Sequence, residues 1–354
     1  MQKVSLFTAS KIAREVLRSG LVPAVFSSPG MGKSSMFMEI AKKANLEVID
    51  IRLAQEDPST INGFPDIQNG RSDFAPPKRF PIEGDPLPEG KDGWLILFDE
   101  LPSAPKAIQA CAYKIVLDRM IGSHPLHKNC HIACAGNLIS DGAVVFEMGS
   151  ALRSRMAHIH IESIADGEEG WLAQYAYPAG LDPRVTAFIK YNPKALNMFD
   201  PKKLKTLDAE TFPCERTWDF VSRYLQKNCT NAGKLTSIPH HSRIALEGIV
   251  GPIAREFAVF ADHVDELPTL QEIIADPKNA TIPSKRAAQY LVTTMVGQAV
   301  DTTNVANLVE YLMRLPEEFI LVAVRMLYAA KPTTMANKSI QQLTNKVVHL
   351  LKTR

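Results

Sequence analysis

A parallel α/β sheet sandwiched by helices, followed by an all-α second half, is the fold this sequence predicts, on three observations. Apolar runs at 22–26, 94–98 and 131–136 are continuous rather than alternating, as strands covered on both faces are. Helical patterns at 34–43 and 105–119 stand between such runs, the order expected of strand-helix-strand crossovers. Beyond Glu162 the strand signals stop and only helical periodicity continues.

In chain order, 8–18 reads as a helix with Ile12, Val16 and Leu17 as its apolar stripe, Thr8 or Ser10 as cap and Gly20 as its end. The run 22–26 reads as a buried strand, with Pro23 near its start, and 34–43 as a helix with Met36, Ile40 and Ala41 on one face. Residues 47–53 alternate like a second strand. The stretch 54–93 is long, polar and rich in Pro and Gly, a length that inside a compact domain marks function or disorder. It carries Gly63-Phe64-Pro65-Asp66, with an aromatic that looks exposed, and Asn69-Gly70 suits a hairpin turn. A third strand at 94–98 runs into Asp99-Glu100, a fourth at 131–136 into Asn137, and after a helical 152–155 a last strand alternates over 157–161. Helical patterns follow at 166–178, 183–191, 215–227, 242–263, 284–300, 303–314, 316–330 and 338–352. Pro316-Glu317-Glu318 suits a first helical turn. The change of class near 163 gives an α/β core over 1–163, a helical lid over 164–264 and a helical C-terminal extension over 265–354.

Composition narrows the function classes. A net charge of +2 gives no general drive toward nucleic acid or membrane, and no apolar run approaches the ~20 residues of a bilayer span. Five cysteines, an odd number without framework spacing, suit a reducing cytosol, so a cytoplasmic protein is expected. His124, His127, Cys130, His131 and Cys134 invite a zinc site, but on a strand Cys130 and Cys134 stand ~13 Å apart, too far to share one ion. Pro201-Lys202-Lys203-Leu204-Lys205 reads as a solvated basic loop.

The chemistry concentrates in Ser27-Ser28-Pro29-Gly30-Met31-Gly32-Lys33-Ser34, a small-residue turn between a strand and a helix, with Ser35 completing the first helical residues. Backbone N–H groups in such a turn and at a helix N-terminus converge on one concavity, a cradle for phosphate. Gly30 and Gly32 can take positive φ and let the backbone approach phosphate oxygens. Lys33 would reach the β- and γ-phosphates of a nucleotide and Ser34 would join a Mg²⁺ shell. The full pattern asks for glycine where Ser27 stands; Ser27 therefore either takes an ordinary conformation or strains the loop. About 65 residues beyond the loop, Asp99-Glu100 closes an apolar strand: Asp99 would hold the Mg²⁺ shell and Glu100 would polarise an attacking water.

In these motifs, PGMGKS at 29–34, WLILFDELPSAPKAIQACAYKIVLDRMIG at 94–122, HIACAGN at 131–137, ALRSRM at 151–156 and CERTWDFVSRYL at 214–225, the chain resembles the AAA+ ATPases and, within them, the MoxR group. The resemblance covers roughly residues 5 to 265 and more loosely the helical tail. It implies that Asn137 is sensor 1, that Arg155, with Arg153 as fallback, is an arginine finger acting on a neighbouring subunit's γ-phosphate, and that Arg216 is sensor 2, unless it merely pairs with Glu215 on the surface. It also implies that Phe64 faces a central pore, unless it plugs the local core. The implied activity is Mg-dependent ATP hydrolysis by a ring, a hexamer, that remodels a partner protein, the partner class being a von Willebrand factor A domain protein. The alternatives are a motor acting on DNA, against which the balanced charge counts, and a nucleotide-binding scaffold with little turnover.

Overall fold

In the computed structural model, which describes residues 1–68, 71–138, 146, 148–202, 210–231 and 234–351, the chain forms two units. The first comprises Met1–Glu162 with Asp200–Lys205, the second Ser163–Phe199 with Thr206–Arg354. Asn69-Gly70 and Lys203-Leu204-Lys205 lie outside the described residues.

The first unit runs β1 (Lys3–Val4), α1 (Leu6–Arg18), β2 (Val22–Ser27), α2 (Lys33–Lys43), β3 (Leu46–Arg52), α3 (Pro58–Asn62), β4 (Phe64–Gln68), β5 (Arg71–Ala75), β6 (Gly93–Asp99), α4 (Lys106–Asp118), β7 (Met120–Ile121), β8 (His124–Pro125), β9 (Cys130–Asn137), α5 (Ser150–Arg153) and β10 (Met156–Ile161). Six strands form one parallel sheet in the order β1-β10-β2-β9-β6-β3. Alternate side chains of each inner strand enter opposite cores. Ala24, Phe26, Ile96, Phe98, Ile132 and Cys134 pack with Ile108, Ala112 and Ile115 of α4. Val25, Leu95, Leu97, Ala133 and Ala135 pack with Ala9, Ala13 and Leu17 of α1 and Phe37, Ile40 and Ala41 of α2. This double burial is why the runs are continuously apolar. After β2 the chain moves toward β3 on one side, and β9 later crosses to β10 on the other, so the order reverses at β2; ligand crevices open at the carboxyl ends of strands at such a point.

Local chemistry corrects several boundaries. α1 starts earlier than its apolar stripe suggests, because Ser5, not Thr8 or Ser10, is the cap: the Thr8 N–H donates to Ser5 Oγ at 3.0 Å. The polar stretch 54–93 contains α3, capped by Asp57 with Pro58 at its first position, and the antiparallel pair β4/β5. It is stapled by Arg79, which donates to both carboxylate oxygens of Glu56 at 2.8 and 2.7 Å and holds that carboxyl below its usual range.

The second unit contains α6 (Pro183–Tyr191), α7 (Glu215–Asn228), a short ribbon of β11 (Thr230–Asn231) and β12 (Lys234–Leu235), α8 (His240–Val250), α9 (Ile253–Ala261), α10 (Leu270–Ala275), α11 (Arg286–Ala299), α12 (Val305–Leu312), α13 (Glu317–Ala330) and α14 (Lys338–Leu351). The helix expected over 242–263 is broken into α8 and α9: Gly251 has φ +71° and Pro252 follows it. The pattern at 166–178 yields a single π-helical turn, Leu172–Ala176. Arg184 and Asp182, both buried, pair through Nη2 at 2.7 Å, and Arg184 Nη1 donates to the carbonyls of Cys229 and Thr236. Two buried clusters divide this unit, one around Trp218, Phe188 and Phe257, the other around Tyr311, Phe319 and Leu343. Among the described residues no helix is long and apolar enough to cross a membrane.

Candidate nucleotide site

Three strand ends build the site: β2 delivers the loop, β6 the acids and β9 the amide. Gly30 and Gly32 adopt φ +80° and +81°, the left-handed region where a Cβ is unfavourable. Gly32 is the N-cap of α2, and no side-chain hydrogen bond caps the helix, an end of the kind at which backbone N–H groups bind anions. Ser27 is not among the positive-φ residues; it ends β2 in ordinary extended pairing opposite Asn137, which answers the departure from the glycine pattern. Ser28 and Pro29 are half-buried in the loop, Met31 is buried among the side chains of α1 and α2, and Ser35 is exposed on α2. Met31 therefore anchors the loop to the core.

The polar side chains meet as the spacing predicts. Lys33 Nζ donates to Asn137 Oδ1 at 3.1 Å, to Ser27 Oγ at 3.0 Å, and to the carbonyls of Ser27 and Ser28 at 3.2 Å each. Lysine only donates, so the amide oxygen of Asn137 must be the atom turned toward it. Ser34 Oγ donates to Asp99 Oδ2 at 2.5 Å, while Asp99 Oδ1 accepts from the Glu100 N–H at 2.8 Å. A hydroxyl and a carboxylate in contact are hard oxygen donors, too few for a metal cage but suited to Mg²⁺, which keeps waters and takes its other ligands from phosphate. Among the described residues no group of three or more His, Cys, Asp or Glu could hold a metal by itself.

Glu100 has φ +58° and caps the short 3-10 turn Leu101–Ser103. A left-handed glutamate costs on the order of 1 kcal/mol, and backbone strain of this kind gathers at functional positions. This left-handed residue ends β6 at Asp99 and starts the turn that follows. Two supporting features escaped the sequence reading. Gly136 lies against the Pro102 ring so closely that a Cβ would stand 2.2 Å from Pro102 Cδ. Asp50 shares a sheet face with Asp99, by pairing Asp50 with Leu97 and Arg52 with Asp99. Burial, then the Asp99 charge, push the Asp50 carboxyl above its usual range. The alternation in Glu47-Val48-Ile49-Asp50 held that signal, since Asp50 falls on the Val48 face rather than the Ile49 face.

Arg155 is exposed after α5, its Nη1 donating to the Ala151 carbonyl at 3.1 Å and Ser154 Oγ at 3.0 Å; Arg153 is exposed as well. Arg216 belongs to the second unit and is exposed at the start of α7; its neighbour Glu215 accepts from Ser163 Oγ at 2.5 Å and Asn197 Nδ2 at 3.0 Å. Phe64 is 66% exposed and Ile67 75% exposed on the β4/β5 hairpin, so the plug alternative for Phe64 fails. Burial pushes the Cys130 and Cys134 thiols up to about 12, which leaves them protonated and poor metal ligands.

No protein-family model and no curated protein matches the chain. Among solved structures it is similar to a candidate ATPase from Cytophaga hutchinsonii, at 13% identity over 97% of this chain and 88% of that one, with a TM-score of 0.35. It is also similar to NtrX from Brucella abortus, at 13% identity over 97% of this chain and 68% of that one, again with a TM-score of 0.35. At that TM-score neither protein bears on what this chain does.

Proposed function

We propose that the first unit binds Mg·ATP at the carboxyl ends of β2, β6 and β9 and hydrolyses it, as an AAA+ ATPase of the MoxR group. The observation that carries this reading is the convergence of Lys33, Ser34, Asp99 and Asn137 above a helix with an uncapped N-terminus. Lys33 binds the β- and γ-phosphates once it leaves its loop carbonyls, and the α2 N–H groups hold the phosphate oxygens. Ser34 and Asp99 would hold the Mg²⁺, which when bound offsets the charge on the phosphates. Glu100 accepts the proton of the attacking water, with Asn137 orienting that water.

Arg155, or Arg153 in its place, reaches into a neighbouring subunit's site, which its exposure permits. Arg216 serves as sensor 2 in cis. The working assembly is a ring, a hexamer, that remodels a partner protein, of which a von Willebrand factor A domain protein is the class considered. Phe64 and Ile67, apolar and exposed, suit a hairpin that grips that partner. In the second unit, 164–264 acts as the lid and 265–354 as an extension, with Leu291 and Met326 of the extension packed into the cluster around Trp218. Five buried free thiols suit the cytoplasm.

The test is calorimetric titration with Mg·ATP and measurement of phosphate release. The wild-type protein should bind and turn over, and Lys33→Met should lose both. A purified wild-type protein that binds no nucleotide would refute the proposal; tight binding without turnover would leave the scaffold reading, which the engagement of Lys33 with its own loop favours.

A further inference from the structure

Position 27 is where this loop departs from the phosphate-binding pattern, and the hydroxyl found there is not idle. Ser27 is fully buried, with a backbone that any residue adopts, so the departure costs no strain. Its Oγ donates to the Ser28 carbonyl at 2.9 Å and accepts from Lys33 Nζ at 3.0 Å. Two carbonyls at 3.2 Å and the Asn137 amide oxygen at 3.1 Å also surround the ammonium. The ammonium has three protons and faces at least these four oxygens, of which the Ser27 hydroxyl is the nearest. A phosphate must displace part of that shell before it can be bound. Without the hydroxyl the ammonium loses the shortest of these four contacts.

We propose that Ser27 is a positioning residue that holds Lys33 back on the loop and sets nucleotide affinity below what the same loop would show without the hydroxyl. This rests on the reading of the loop as a nucleotide site. Hydrogen bonds to charged groups are strong, but the remaining oxygens compensate in part, so the net effect is modest. Ser27→Ala and Ser27→Gly should each bind ATP about fivefold tighter than wild type by calorimetry, and Ser27→Thr should match wild type. In nucleotide-free protein carrying isotope-labelled lysine, the Lys33 ammonium protons should exchange with water faster in Ser27→Ala and Ser27→Gly than in wild type or Ser27→Thr. Equal or weaker ATP binding by both hydroxyl-free variants overturns the inference, as does an unchanged ammonium exchange rate. A wild-type protein that binds no ATP would instead overturn the nucleotide reading, and the exchange measurement would still decide whether the hydroxyl holds Lys33.

Discussion

Adding one methyl group at Gly136 tests how the acids of β6 are held against the amide of β9. The Cβ would stand 2.2 Å from Pro102 Cδ and 2.7 Å from Pro102 Cγ, inside any tolerable contact, and a proline ring cannot swing aside. Pro102 lies in the 3-10 turn immediately after Glu100, so relief must come from moving that turn, and with it Asp99 and Glu100, away from Asn137. Overpacking of this kind costs about 1–3 kcal/mol. For a unit of this size each kcal/mol lowers the melting temperature by about 2–4 °C, so Gly136→Ala should melt about 2–12 °C below wild type. Turnover should fall by about a hundredfold if the displacement of Glu100 approaches 1 Å. Scanning calorimetry and phosphate release give the two quantities. The double variant Gly136→Ala/Pro102→Ala removes both clashing ring carbons and should recover most of the lost stability, a coupling that distant sites do not show. An unchanged melting temperature for Gly136→Ala, or no recovery in the double variant, would refute the contact as the element that spaces the two strands.

Glu100→Gln should keep ATP binding within the wild-type range while lowering turnover by about 10²–10⁴-fold, read by parallel titration and phosphate release. Arg155→Ala should bind ATP normally and lose turnover; adding Lys33→Met protein, which supplies an intact arginine but an empty loop, should restore part of it, and no restoration would count against action between subunits. Arg184→Met in the second unit should cost about 3–5 kcal/mol by denaturant unfolding, because it strands the buried Asp182 carboxylate. Cys130 and Cys134, with thiols pushed up to about 12, should resist alkylation at pH 8 in folded protein and react promptly in denaturant, as followed by mass spectrometry.

Much of the first unit was legible because its strands are buried on both faces and its loop must be made of small residues. Leu95, Ile96 and Leu97 permit few other assignments. Lys33, Ser34, Asp99 and Asn137 could be paired across about a hundred residues because each closes or opens a regular element, and such ends meet at one edge of a parallel sheet. What escaped the sequence reading depends on partners far along the chain. β1 is two residues long and exists only because β10 pairs with it, and the Arg184–Asp182 pair depends on carbonyls from 229 and 236. Gly136 looked like one more small residue in an apolar strand until the Pro102 ring gave it a neighbour. The helix break at Gly251-Pro252 was readable from composition alone, but the apolar stripe crosses it without interruption and hid it.

The pairing of Ser27 with Asn137 also bears on how such a pocket could be re-engineered. The two residues stand opposite each other at the end of a ladder that begins at Ala24 and Cys134, so their separation belongs to the backbone and not to a rotamer. Substituting either side chain would retune the pocket floor and leave the scaffold beneath untouched. Inserting or deleting one residue in either strand would swing one of them to the far face of the sheet, because neighbouring side chains point to opposite sides. New specificity at this floor is therefore open to exchanges of residues and closed to changes of length.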